Sequence, residues 1–220
     1  SACTYSTATP AARALSRHSA SCSANTCTPL PQCPSMPWQA LVTMDDGSRI
    51  NTSGGVTHYL GMGWAGSCGE AVAAAPREPA EVDFASGAAL CVRRDVWERV
   101  GGFDERYFMY GEDLDLGLRM WLSGHGVGVV PSARVEHDYE FGKGNRKWYL
   151  LERNRWWTIL SDYPAGLLVP LLPALLAAEL ALLVIAARGG WLGAKLRAQA
   201  TVLRELPQPG TSRLPSAWTI

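Results

Sequence analysis

Val100-Gly-Gly-Phe-Asp-Glu-Arg-Tyr-Phe-Met-Tyr-Gly-Glu-Asp-Leu-Asp-Leu-Gly-Leu-Arg119 is the stretch on which the reading of this chain turns. It sets carboxylates beside aromatics and glycines. Gly101 and Gly102 break the element before them. Phe103, Tyr107, Phe108 and Tyr110 can wall a pocket. From Glu112 the pattern turns helical, with Leu114, Leu118, Trp121 and Leu122 expected on one buried face. Glu112 and Asp113 then stand in the first turn of a helix. There a carboxylate also favours the helix dipole. A carboxylate fixed by a rigid element at the edge of a cleft is what a general base requires. Asp115 and Arg119 are spaced as an ordinary i,i+4 pair.

Working outward, residues 38–43 read as a strand and Asp45-Asp46-Gly47 as a turn. Residues 50–58 then complete a hairpin. Residues 59–70 read as a glycine-rich loop. It is not a P-loop, since no Gly-Lys-Ser/Thr follows. Residues 71–80 form an alanine-proline linker. Residues 82–93 read as a strand whose small residues, Ser86-Gly87-Ala88-Ala89, let a substrate approach the main chain. A short helix over 96–100, capped by Asp95, ends at Gly101. Downstream of the acidic helix, 127–130 is a strand that Pro131 should end. His137 follows between Glu136 and Asp138.

Several of these segments occur in an order that resembles family 2 glycosyltransferases. They are Asp83-Phe-Ala-Ser-Gly-Ala-Ala89, Gly101-Gly-Phe-Asp-Glu105, Tyr110-Gly-Glu-Asp-Leu-Asp-Leu116 with Arg119, and Val135-Glu-His137. The resemblance implies an α/β protein with a partial GT-A-like mixed sheet, flanking helices and a C-terminal membrane-associated helix. It implies inverting transfer from a nucleotide-sugar donor to a hydroxyl of a polysaccharide or lipid-linked glycan acceptor, in bacterial cell-wall or surface polysaccharide synthesis. The roles it implies are Asp113 as base with Glu112 as partner, and Gly87, Ala88, Phe103 and Tyr110 lining the acceptor site. His137 is implied as a ligand of a divalent metal, Mg²⁺ or Mn²⁺. The 51–69 segment looks most like rhamnosyltransferase-type members. The resemblance covers about residues 38–205, the acceptor-side half. No nucleotide-binding half with an Asp-x-Asp is expected in this chain. A catalytically inactive membrane-bound fragment that keeps the acceptor-side fold is therefore the alternative.

The expected organisation is a disordered leader over 1–37, the acceptor-side half over 38–160, a hydrophobic membrane segment over 161–190, and a basic helix with a disordered tail over 191–220. The leader is rich in Ser, Thr, Ala and Pro and cannot bury enough apolar surface to order itself. Acidic and basic residues balance at 20 each. With no basic stripe interleaved with aromatics, nucleic acid is not an expected partner. The six cysteines contain no Cys-x-x-Cys pair and read as reduced thiols in a cytosolic setting. Residues 143–155 are basic and aromatic. They suit a phosphate contact or, as the favoured reading, an amphipathic helix at a membrane surface. Residues 165–187 are apolar enough to span a bilayer and carry one charge, Glu179. On insertion scales an acid there costs about 2–3 kcal/mol. Pro170 and Pro173 are expected to kink the segment. The membrane is thus an expected partner, with the catalytic part facing the cytoplasm.

Overall fold

A computed structural model describes residues 36–137 and 144–205. The leader up to residue 35, Asp138 and the tail beyond residue 205 lie outside the described residues. Seven strands and five helices follow in order. They are β1 (Trp38–Met44), β2 (Arg49–Thr52), β3 (Gly55–His58), β4 (Met62–Ala65), β5 (Ala80–Glu81), β6 (Leu90–Cys91), α1 (Arg94–Val100), α2 (Glu112–Leu122), β7 (Gly128–Glu136), α3 (Gly144–Asp162), α4 (Ala165–Arg188) and α5 (Leu192–Arg204). The protein is α/β, with a mixed sheet, flanking helices and a long apolar helix, as expected.

The sheet is built on β1, which pairs antiparallel with β2 and β6 and parallel with β7; β5 closes the far edge. Leu41 and Val42 of β1 are fully buried, as is Ile50 of β2. Gln39 is also buried, and both ends of its amide are engaged. Its Nε2 donates to the Thr52 carbonyl at 3.3 Å and its Oε1 accepts the Ser86 N–H at 2.6 Å. One buried amide thus ties the small-residue loop to the central strand. Asp45, Asp46 and Gly47 take positive φ in the β1–β2 turn, a conformation that glycine and short polar side chains such as aspartate tolerate best.

Three local readings are corrected. The stretch 59–70 is not only a loop: β4 folds back on β3 as a two-stranded ribbon. Its glycines are needed for close approach rather than for flexibility. A Cβ on Gly55 would fall 2.3 Å from the Phe84 ring, and one on Gly63 would fall 2.3 Å from Leu114. The region 82–93 yields only β6 and an isolated bridge from Phe84 to Gly55, because residues 82–89 serve as a packed connector around Phe84. Pro131 does not end its strand. Ala40 pairs with Val130 and the next residue, Leu41, pairs with Arg134, so β7 bulges across residues 131–133 and resumes. A bulge is one of the few places a sheet accepts proline.

The main core lies where α1 and α2 meet the connector. Ala85, Val92, Val100, Leu116, Met120 and Val127 pack together, with Trp97 and Phe103 at the margin. The buried face of α2 therefore differs from the expected one. Leu114 is inside, but Leu116, Gly117 and Met120 are the others, while Leu118 and Leu122 are half-buried and Trp121 is exposed. Asp115 and Arg119 are also buried, so the i,i+4 pair of the sequence reading is an internal one. Arg119 donates to the Asp115 carboxylate and to the carbonyls of Val100 and Gly102. It clamps the end of α1 to α2.

The basic-aromatic stretch is also corrected. Helix α3 buries Leu150, Glu152, Asn154, Arg155, Trp157, Thr158, Ile159 and Asp162 against its neighbours, so it packs inside the molecule. Its inner face is polar, which is why no apolar period announced it. Helix α4 runs unbroken through Pro170 and Pro173. Its Glu179 accepts from Arg155 of α3 and from Lys195 and Gln199 of α5, at 2.8 and 2.7 Å for the latter two. Glu152 bridges the same Arg155 and Lys195. Outside these contacts α4 is largely apolar and exposed, including Val169, Leu172, Leu176, Leu180, Val184 and Ile185.

Candidate active site

Gly111 opens α2 in the left-handed region, with φ 81°. Just before it, Phe108 and Tyr110 have φ of 62° and 68°. Non-glycine residues seldom adopt this conformation, and each such residue costs about 1–3 kcal/mol unless its surroundings fix it. Here α3 does so. The Asn154 Nδ2 amide is shared among the carbonyls of Tyr107, Met109 and Tyr110, at 3.1, 2.9 and 2.6 Å. Arg153 donates to the carbonyls of Arg106 and Tyr107. The Tyr107 hydroxyl meets Thr158 at 3.0 Å, and its ring packs edge-on against Trp157.

This scaffold presents Asp113. Its carboxylate accepts from the Leu114 N–H at 2.9 Å and interacts with the N–H groups of Gly87 and of Asp113 itself. A Cβ on Gly87 would lie 3.6 Å from the tip of Phe103. Asp113, Gly87 and Phe103, far apart in sequence, therefore meet in one place. Gly87 and Ala88 are exposed, and the Ala88 N–H is held by the Ser86 hydroxyl at 3.3 Å. Glu112 and Tyr110 flank Asp113 in the chain. The Glu112 Oε2 and the Tyr110 hydroxyl are buried with no hydrogen-bond partner among the described residues. Buried polar atoms left in this state mark places where a ligand group can complete the bonding.

Burial pushes both carboxyls upward. For Glu112, burial and then the neighbouring Asp113 charge raise the pKa to about 7. For Asp113 burial also wins, although its three N–H contacts oppose it by favouring the charged form. The pair titrates as a unit. Glu112 has only its own N–H opposing its proton, against three N–H groups at Asp113. A consequence for stability follows. The folded state binds this proton more tightly than the unfolded chain, whose value is 4.5. Folding stability should therefore fall as pH rises from about 4.5 to about 7, and Glu112→Gln should flatten that slope. Urea titrations at several pH values measure it.

His137 stands elsewhere in the chain's layout, just past the carboxyl end of β7. Its N–H donates to the Thr43 carbonyl at 2.8 Å, and its carbonyl accepts from Asn51 at 2.9 Å. β1 and β7 are parallel there, and ligands of α/β sheets collect at the carboxyl ends of parallel strands. Among the described residues no group of three or more His, Cys, Asp or Glu could hold a metal. His137 offers one donor, so an ion bound there would take most of its ligands from phosphate oxygens and water. Such a mixed shell suits Mg²⁺ or Mn²⁺ on a diphosphate.

Two positioning residues escaped the sequence reading. Gln39 looked like one more strand residue, and Asn154 was hidden among arginines and tryptophans. Neither belongs to a recognisable motif. The only available signal was an amide inside an otherwise buried strand or helix, which must find partners.

Residues 56–201 match the family described as glycosyl transferase family group 2. A segment of 62 residues is 55% identical to the N-acetylglucosaminyl-diphospho-decaprenol L-rhamnosyltransferase of Mycobacterium tuberculosis, covering 27% of this chain and 20% of that protein. Another of 56 residues is 45% identical to the rhamnosyltransferase WbbL of Escherichia coli K12, covering 26% and 21%. The chain thus matches about a fifth of the length of these relatives. A structure of GalNAc-T7 with UDP, GalNAc and Mn²⁺ overlaps 58% of this chain and 26% of that one, with a TM-score of 0.43 at 15% identity. On the family match, which takes in α2 and the Asp113 site, the chain belongs to glycosyl transferase family group 2.

Proposed function

We propose that this chain carries the acceptor side of an inverting sugar transferase. Its donor is a nucleotide sugar and its acceptor a hydroxyl of a polysaccharide or lipid-linked glycan in bacterial envelope synthesis. The observation that carries the reading is the meeting of Asp113, Gly87 and Phe103 beside two unpartnered buried polar groups. In the proposed step the acceptor oxygen attacks the anomeric carbon and the bond from that carbon to the diphosphate oxygen breaks. Asp113 takes the acceptor proton as the new bond forms. Glu112, holding its own proton, keeps the negative charge on Asp113. Phe103 and the bare backbone at Gly87 and Ala88 give the sugar ring a flat surface to rest on. Tyr110 adds a hydroxyl within the same wall. A divalent ion held with His137 would offset charge on the departing diphosphate. The rhamnosyl donor is the favoured sugar because two relatives with that printed activity match this chain.

The same reading places the protein at a membrane, facing the cytoplasm where nucleotide sugars are made. Helix α4 is long and apolar enough to cross a bilayer. Yet its Glu179 face is tied to α3 and α5, so we assign its outward face to lipid and its inward face to protein.

Calorimetry of the intact protein with a nucleotide sugar and Mn²⁺ tests the reading. Metal-dependent binding together with sugar transfer is expected. Neither being detectable would favour an inactive chain that keeps only the acceptor-side fold. A second measurement addresses the scaffold. Asn154→Leu strips the donor from three carbonyls of the 107–110 loop. It is expected to cost about 2–3 kcal/mol of stability and to lower transfer more than that loss of folded protein explains. Urea unfolding and a rate measured well below the transition separate the two effects.

A further inference from the structure

The first turns of α3 and the last turns of α5 line an open cavity of about 500 Å³. Arg146 and Tyr149 line it from α3, and Arg197, Thr201 and Arg204 line it from α5. The α5 residues are spaced i, i+4 and i+7, which puts them on one helical face. All three arginines are exposed, and among the described residues none has a carboxylate partner. Their other contacts leave guanidinium N–H groups available. Arg146 rests over the Phe108 ring at 5.3 Å, and Arg197 Nε donates to the Gly193 carbonyl at 3.3 Å. The Tyr149 and Thr201 hydroxyls meet at 3.1 Å and add hydroxyl groups to the wall. The carboxylate nearest in sequence, Glu205, is exposed and pairs with none of the three.

Three like charges on one cavity repel one another, and an anion there removes the repulsion. The guanidinium fork matches phosphate oxygens two at a time, and the cavity is of ligand-binding size. Tyr149 also packs against Ala186, Trp191 and Ala194, where α4 turns into α5. Trp148 stacks on Trp191 at 4.7 Å and remains partly exposed. The cavity thus adjoins the base of the helix whose outer face is apolar. We infer that it is a binding site for the phosphate or diphosphate group of a lipid headgroup. The inference does not depend on the catalytic role given to Asp113.

The test uses the intact protein in EDTA, so that any metal-dependent diphosphate site stays silent. Inorganic diphosphate is titrated by calorimetry. Co-sedimentation is measured with phosphatidylcholine vesicles with and without a polyprenyl diphosphate. The wild type should bind inorganic diphosphate and be enriched on the diphosphate-bearing vesicles. Arg146→Gln/Arg197→Gln/Arg204→Gln should weaken both by at least about tenfold, with an unchanged circular dichroism spectrum, since all three side chains are exposed. Asp113→Asn should leave both intact. No binding to either probe, or binding that survives the triple substitution, overturns the proposal. Binding of inorganic diphosphate without enrichment on the vesicles assigns the site to a soluble phosphate and overturns the lipid source.

Discussion

Asp113→Asn is expected to slow sugar transfer by roughly a hundred- to ten-thousand-fold, the usual contribution of a positioned base. Nucleotide-sugar affinity should stay near its normal value. The amide keeps the size of the carboxylate and can still receive the Gly87 and Leu114 N–H groups, so the loop and helix stay in place. What it loses is the ability to accept a proton. A fall in the chemical rate with unchanged binding is the mark of an interaction made in the transition state alone. Glu112→Gln should act differently. It removes a titrating neighbour without removing the base, so it should shift the acidic limb of the pH–rate profile more than it lowers the plateau. A rate lost equally in both variants would assign the chemistry to the pair rather than to Asp113.

The second large effect concerns the anchoring of α4. Lys195 is fully buried and bonds Glu152 at 2.6 Å and Glu179 at 2.8 Å. Lys195→Met leaves buried Glu152 and half-buried Glu179 with Arg155 as their one remaining ion-pair partner among the described residues. Removing one member of a buried ion pair costs about 3–5 kcal/mol. The substitution should therefore lower thermal stability in detergent steeply and expose the Gly189-Gly190 turn to protease. Removing one charge of each sign, in Lys195→Met with Glu179→Leu, keeps the Arg155–Glu152 pair and should recover much of the loss, because replacing a buried ion pair by apolar side chains is often neutral. If Lys195→Met alone were without effect, α4 would not be held by this cluster. The assignment of its inward face to protein would then lose its support.

How far the sequence led is clearest at α2 and α4. The Gly-Glu-Asp run and the leucines after it gave a helix with its acids in the first turn, because both local propensity and the dipole favour it. Which side of that helix goes inward was misjudged. Two buried charges, Asp115 and Arg119, share the inner face with Leu116 and Met120, and a polar pair erases the apolar stripe that period-counting seeks. Helix α4 was legible as an apolar segment, but Glu179 looked like an isolated expense. Its partners, Arg155 and Lys195, lie on helices before and after it, and spacing along the chain cannot reveal such a meeting. The Gly87–Asp113 contact has the same character. Resemblance placed both residues near a sugar site, whereas the approach of one to the other depends on how residues 82–89 wrap Phe84 against α2. Pro131 misled because proline usually stops a strand, and the bulge that accommodates it arises from pairing with β1.

The most direct test is an experimental structure of the intact protein with a nucleoside diphosphate and a glycan acceptor bound. The account predicts the acceptor hydroxyl at 2.6–3.2 Å, the reach of a general base, from an Asp113 carboxylate oxygen, with the sugar ring against Phe103 and the Gly87 backbone. An acceptor hydroxyl seated against a different carboxylate, with Asp113 bonded only to main-chain N–H groups, would contradict it.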